Sequence, residues 1–206
     1  MEQQVKDKVK AIKQSFRLHM NGVAFHSMKN KGLDYKLNWG VGLPQLKEMA
    51  ADYGKNHALA SELWKENVRE CKILATLIMP HEQMTEQEAM AWIDEMPTIE
   101  MAEIASMNLF QHLSCAKSVA WNCIEGEKET EQLIGYHILS AMFRRRVPMG
   151  NEDVDIYIKR AAVAFRNGGY ALRHAVMNSL VILCDVMPER EQTVNDILES
   201  HLPEAD

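Results

Sequence analysis

Four helix beginnings recur along this 206-residue chain, near Asn67, Thr98, Thr130 and Gly169, at spacings of 31, 32 and 39 residues. Helix pairs repeating every ~30–47 residues confine a chain to a stacked array, because one pair cannot bury its apolar face alone. The rhythm is plainest in the segment Leu63–Ile78. It reads as the end of one helix, a corner at Glu66-Asn67, and a second helix with a wide apolar face. Trp64 at this elbow reads as a packing residue between helices, and Arg69-Glu70 as a local ion pair holding the turn. No run alternates with period two, so no strand is expected.

Other signals place the elements. Val5, Val9, Ile12, Phe16 and Met20 form one stripe of a helix over 3–20, with Lys on the other side, and Asn21-Gly22 ends it. Residues 28–42 hold three glycines and little periodicity, which predicts a loop with one short turn. Pro44 suits the first turn of a helix that Gly54 stops. Asn56 opens a short helix to Lys65, Asn67 is expected to cap the next, and Pro80 closes that one. Thr85 with Glu88 has the spacing of a capping box, and Pro97-Thr98 breaks and restarts the chain. Gly126, Val147-Pro148 and Asn167-Gly168-Gly169 separate the later helices, with Asn151 as a cap. The stretch 171–183 is apolar nearly all round after Ala175 and is expected to be covered on several sides. The fold class expected is all-α, an α-α superhelix of HEAT-like helical repeats forming one domain over 1–206. A compact helical bundle is the alternative the same signals permit.

Fourteen methionines against five phenylalanines fit a helical core, where Met fills irregular gaps. The longest apolar run, Ile73–Met79, is far short of the ~20 residues of a membrane span, and the charged N-terminus has no apolar stretch behind it. Cys71, Cys115, Cys123 and Cys184 show no Cys-x-x-Cys spacing and read as reduced thiols, three of them buried, so a cytoplasmic protein is expected. The net charge of −6 hides a segregation: +6 over 1–47, −10 over 48–140, +4 over 141–180 and −6 over 181–206. Two basic segments could form one phosphate-binding face if folding unites them, with solvated helix surfaces as the plain alternative. Eight histidines lack His-Glu-x-x-His spacing, and no Walker, Rossmann or Gly-x-Ser-x-Gly pattern occurs. No metal and no cofactor are expected. Arg144-Arg145-Arg146 complements a helix C-terminus and could also reach phosphate.

Three short pieces carry a resemblance. Met28-Lys29-Asn30, then Gly40-Val41-Gly42-Leu43-Pro44, then Leu63-Trp64 followed by Arg69-Glu70 resemble the AlkD-like DNA alkylation repair family of HEAT-like repeat DNA glycosylases. Membership implies a concave basic groove for double-stranded DNA, and a hydrolase that excises purines made cationic by alkylation. A carboxylate near the sugar would stabilise the oxocarbenium-like transition state and position water, while aromatic rings hold the lesion. The position of the family's catalytic Asp corresponds to Glu100, with Glu103 one turn on. Ile99 stands where the family has Trp, and Leu133–His137 occupies the stretch where its Arg is expected. Arg144, Arg145, Lys159, Arg166 and Arg173 are the candidates for phosphate, and Trp39 in the Gly-rich loop is the ring expected to face a ligand. A non-catalytic binder of distorted DNA and a protein–protein scaffold are the other two functions such a chain could have.

Overall fold

The computed structural model describes residues 2–33 and 35–199; Met1, Asp34 and the end of the acidic tail lie outside it. Among the described residues there are twelve α-helices and no strand: α1 (Glu2–Ser15), α2 (Gly22–Asn30), α3 (Leu43–Tyr53), α4 (His57–Lys65), α5 (Arg69–Ile78), α6 (Glu86–Asp94), α7 (Ile99–Asn108), α8 (Ala116–Glu125), α9 (Glu129–Arg144), α10 (Asn151–Asn167), α11 (Tyr170–Val186) and α12 (Glu191–Glu199). Helices α5, α7, α9 and α11 start within two residues of the four expected beginnings. The chain divides into two compact units, Met1–Ser114 and Cys115–Asp206.

In the N-terminal unit, α5 packs against α3, α4 and α7, and α1 packs on α4. Nine of the ten residues of α5 are buried, which is why its sequence is apolar over so wide a face. Trp64 and Trp92 stack with centroids 4.2 Å apart and planes 1° from parallel, joining α4 to α6. The Lys72 ammonium sits 4.2 Å above the Trp64 ring and donates to the Trp64 carbonyl at 2.8 Å. Burial pushes its pKa down, yet the π face and carbonyl give the cation partners. Trp64 is thus the packing residue expected of it.

In the C-terminal unit, α9 packs against both α8 and α11, and α10 against α11. Gly135 permits a close approach of α8 and α9: a Cβ there would stand 2.6 Å from Ile124 Cγ2 and 2.9 Å from the Ala120 carbonyl. Tyr136, Phe143 and Tyr157 meet edge to face in the core, and the Tyr157 hydroxyl donates to Ser179 at 2.6 Å.

Local capping chemistry is mostly as the residues suggest. Asn21 and Asn56 accept from Ala24 and Leu59, Thr98 accepts from Met101, and the Thr85–Glu88 capping box closes in both directions. Several expectations need correction. Residues 22–30 are helical because Asn21 caps α2 rather than ending the structure there. Asn67 does not cap α5: Val68 holds that position without a side-chain cap, and the Arg69 N–H goes to the Leu37 carbonyl instead. Gly150, not Asn151, precedes α10. Met20 follows the last helical turn and is exposed. Helix α11 is covered on several sides, by α9, α10 and α12, but not all round: Tyr170, Met177 and Val181 are exposed along a single stripe. Two cysteines, not three, are buried; Cys71 and Cys123 are pushed up to about 12 by burial, which keeps them protonated at neutral pH.

Candidate functional site

The loop after α2 crosses the start of α5, and a chain of polar groups ties the two together. Gly40 makes the crossing possible: its φ of +70° suits glycine, and a Cβ there would collide with the Asn21 carbonyl. The Asn38 side chain accepts from the Gly40 N–H at 2.8 Å. Glu70, fully buried, accepts through Oε1 from the N–H groups of Trp39 at 3.0 Å and Val41 at 3.2 Å. Its Oε2 has no partner among the described residues, and burial pushes its pKa up against these hydrogen bonds.

Arg69 extends the same chain of contacts to α7. Its Nη1 donates to the Val41 carbonyl at 3.2 Å, and Nη2 and Nε form a fork on Glu100 Oε1 at 2.7 Å and Oε2 at 3.1 Å. Its approach to Glu70 is 3.7 Å. The adjacent pair is therefore not a simple turn-holding ion pair; each member reaches a separate part of the fold. Glu100 Oε2 also accepts from the Tyr35 hydroxyl at 2.7 Å. Tyr35 has one proton, so with that proton on Glu100 its 2.6 Å contact to Thr98 must be donated by the Thr98 hydroxyl. Thr98 in turn accepts from the Met101 N–H, which caps α7.

The charge state of Glu100 follows from this geometry. Burial alone would raise its pKa, but the Arg69 and Tyr35 hydrogen bonds and the Arg69 charge outweigh it and hold the carboxyl below the usual range. Glu100 is ionised at neutral pH, and both of its oxygens are already bound by charge-matched donors. Glu103, one turn on, is exposed, and Ile99 is exposed beside it. In the stretch Leu133–His137, Leu133 to Tyr136 are core residues.

The basic candidates occupy the C-terminal unit's surface. Arg144 and Arg145 end α9, Lys159 and Arg166 lie seven residues apart along α10, and Arg173 is in the first turns of α11; all five are exposed. Arg144 and His174 both stand near His137, whose pKa is lowered first by burial and then by these two groups. Trp39 is half-buried, with the Arg17 guanidinium 5.5 Å from its ring centroid. The fold thus gathers Glu100, Arg69 and Tyr35 at one place, whereas Arg144 and His174 are related only through their charges acting on His137. No spacing along the chain marks Arg69 and Tyr35 as partners of Glu100. The available hint was a charged pair opening a helix whose remaining residues are apolar.

The sequence profile described as DNA alkylation repair enzyme matches residues 12–148. The chain belongs to that family. Its fold is shared with a solved structure described as one of a new family of proteins related to the HEAT-like repeat DNA glycosylases with affinity for branched DNA structures. The TM-score is 0.79 at 15% identity, over 92% of this chain and 81% of that one. At that identity the likeness establishes the fold, an all-helical array of HEAT-like repeats. No curated protein is similar enough to match. None of the helices among the described residues is long and apolar enough to cross a membrane.

Proposed function

We propose that this chain binds branched or distorted double-stranded DNA, with Arg144, Arg145, Lys159, Arg166 and Arg173 on backbone phosphates. The observation that carries this reading is the engagement of Glu100 by Arg69 and Tyr35. A carboxylate that stabilises a cationic sugar must present uncompensated charge and a lone pair for water. Here the guanidinium cancels the charge, and three donors take three of the carboxylate's roughly four acceptor sites. Family membership supports DNA as the partner, and the affinity of the structurally similar protein for branched DNA supports the kind of DNA. The test is band-shift titration of a four-way junction and a linear duplex across a salt series. Junction retention should be tighter, fall linearly in log–log form with salt, and show a slope reduced by about one in Arg144→Ala or Arg173→Ala. No retention of either DNA at low salt overturns the reading and leaves the scaffold function.

A second reading keeps alkylpurine excision through Glu100. It is favoured by the ionised state of that carboxylate and its place in the first turn of α7. Release of N-methylpurines from alkylated DNA, abolished in Glu100→Gln but retained in Glu103→Gln, would establish it. Absence of release sinks it.

A further inference from the structure

The N-terminal unit has a second candidate binding place, apart from the Glu100 cluster. Lys6, Lys10, Lys13 and Arg17 recur at the fourth, seventh and eleventh positions after the first, so they share one side of α1 and the turn that follows it. They form one wall of a cleft of about 340 Å³ whose other walls include Trp39, Glu62 of α4 and Glu66 just after that helix. Clefts of this size hold small organic ligands. Two of the cations are already matched: Lys6 by Glu2 at 2.7 Å and Lys13 by Glu66 at 2.6 Å. Lys10 makes no ion pair among the described residues, and Arg17 has only the Trp39 ring. The Trp39 Nε1–H is shut off from solvent without an acceptor among the described residues, where packing and Arg17 hold the ring.

We infer that this cleft binds a nucleotide, its base stacked on Trp39 and its phosphate held by Lys10 and Arg17. An indole with a guanidinium on its face and a spare ammonium beside it offers both halves of what an aromatic anion needs. The base takes the ring, and the guanidinium moves from the ring to the phosphate. A simple anion would gain nothing from Trp39, and an apolar ligand nothing from Lys10. The same chemistry is presented by a free mononucleotide and by the unpaired nucleotide of a DNA strand. The strand form rests on the DNA-binding reading above; the mononucleotide form does not.

The difference between the parent and Trp39→Phe isolates the Trp39 signal from those of buried Trp64 and Trp92 and half-buried Trp121. The full chain is titrated with adenosine monophosphate and, separately, with a short 5′-phosphorylated oligothymidylate. Saturable quenching is expected, absent in Trp39→Phe. In Lys10→Glu, an exposed change that spares the fold, Kd should rise on the order of tenfold, and the salt slope should fall by about one. Quenching by both probes assigns a mononucleotide site; quenching by the oligothymidylate alone assigns an unpaired strand. Absence of quenching by either, or equal affinity in Lys10→Glu, overturns the proposal. Junction retention by the same variants separates the two readings: retained junction binding with no nucleotide response sinks only the cleft.

Discussion

Arg69 and Arg173 stand near the starts of α5 and α11, helices that begin two of the four repeating segments, and their surroundings are opposite. Arg69 is 4% exposed and binds a carboxylate, a carbonyl and, more distantly, a second carboxylate. Arg173 faces solvent on a helix whose own apolar stripe is also exposed. The N-terminal unit uses charge internally, to fasten an irregular loop that has too few apolar residues to fasten itself. The C-terminal unit has short turns and an aromatic core, so its cations are left on the surface. The buried charge at Arg69 therefore bears on stability, and the exposed charge at Arg173 on what the surface attracts.

Removing the buried guanidinium should have the largest effect. Arg69→Ala leaves Glu100 and Glu70 without their cation and is expected to lower unfolding stability by about 3–5 kcal/mol, read from the urea midpoint. If Arg69→Met were as stable as the parent, the inward role of charge in this unit would be lost.

Glu100→Gln should cost about 1–3 kcal/mol at neutral pH, since it keeps the shape and loses the charge-assisted bonds. Its pH dependence has a defined sign. The folded pKa lies below the ordinary 4.5, so the stability due to Glu100 is present above that value and is lost as pH falls through the folded pKa. The gap between parent and Glu100→Gln should therefore close in acid. A gap independent of pH would show that the carboxylate charge is not what fastens α7.

In the C-terminal unit the comparison predicts smaller changes. Tyr157→Phe removes one buried hydroxyl bond and leaves Ser179 to find another partner, for a loss of about 1 kcal/mol by thermal or urea unfolding. Arg144→Ala and Arg173→Ala should shift stability by no more than about 0.5 kcal/mol. Each should nevertheless weaken junction binding more than any substitution within the core. Equal stability losses at Arg173 and Arg69 would erase the distinction between the units.

Much of the helical layout is legible from local chemistry. Pro44, Gly54, the Thr85–Glu88 box and Thr98 act within a single turn, and each sits where its residue type leads one to look. Asn67 misleads because Asn is a good cap in isolation. At the start of α5 a tertiary partner, the Leu37 carbonyl, takes the Arg69 N–H that would otherwise need one. Helix α11 is covered on several sides, as its sequence suggests, but its apolar composition overstates the coverage. Its composition resembles a helix buried all round, yet Tyr170, Met177 and Val181 remain uncovered.

The amino-acid order by itself determined the all-helical class and the repeat spacing, because these rest on caps, breakers and periodic apolar positions that act over a few residues; the family rests on the match of residues 12–148 to its profile. Only the tertiary structure decided what the charged groups do. Tyr35 and Glu100 are 65 residues apart, Arg69 and Glu100 are 31 apart, and no pattern along the chain records that they share three hydrogen bonds. A side chain's charge is written in its residue type, but the partner that neutralises it is chosen by packing.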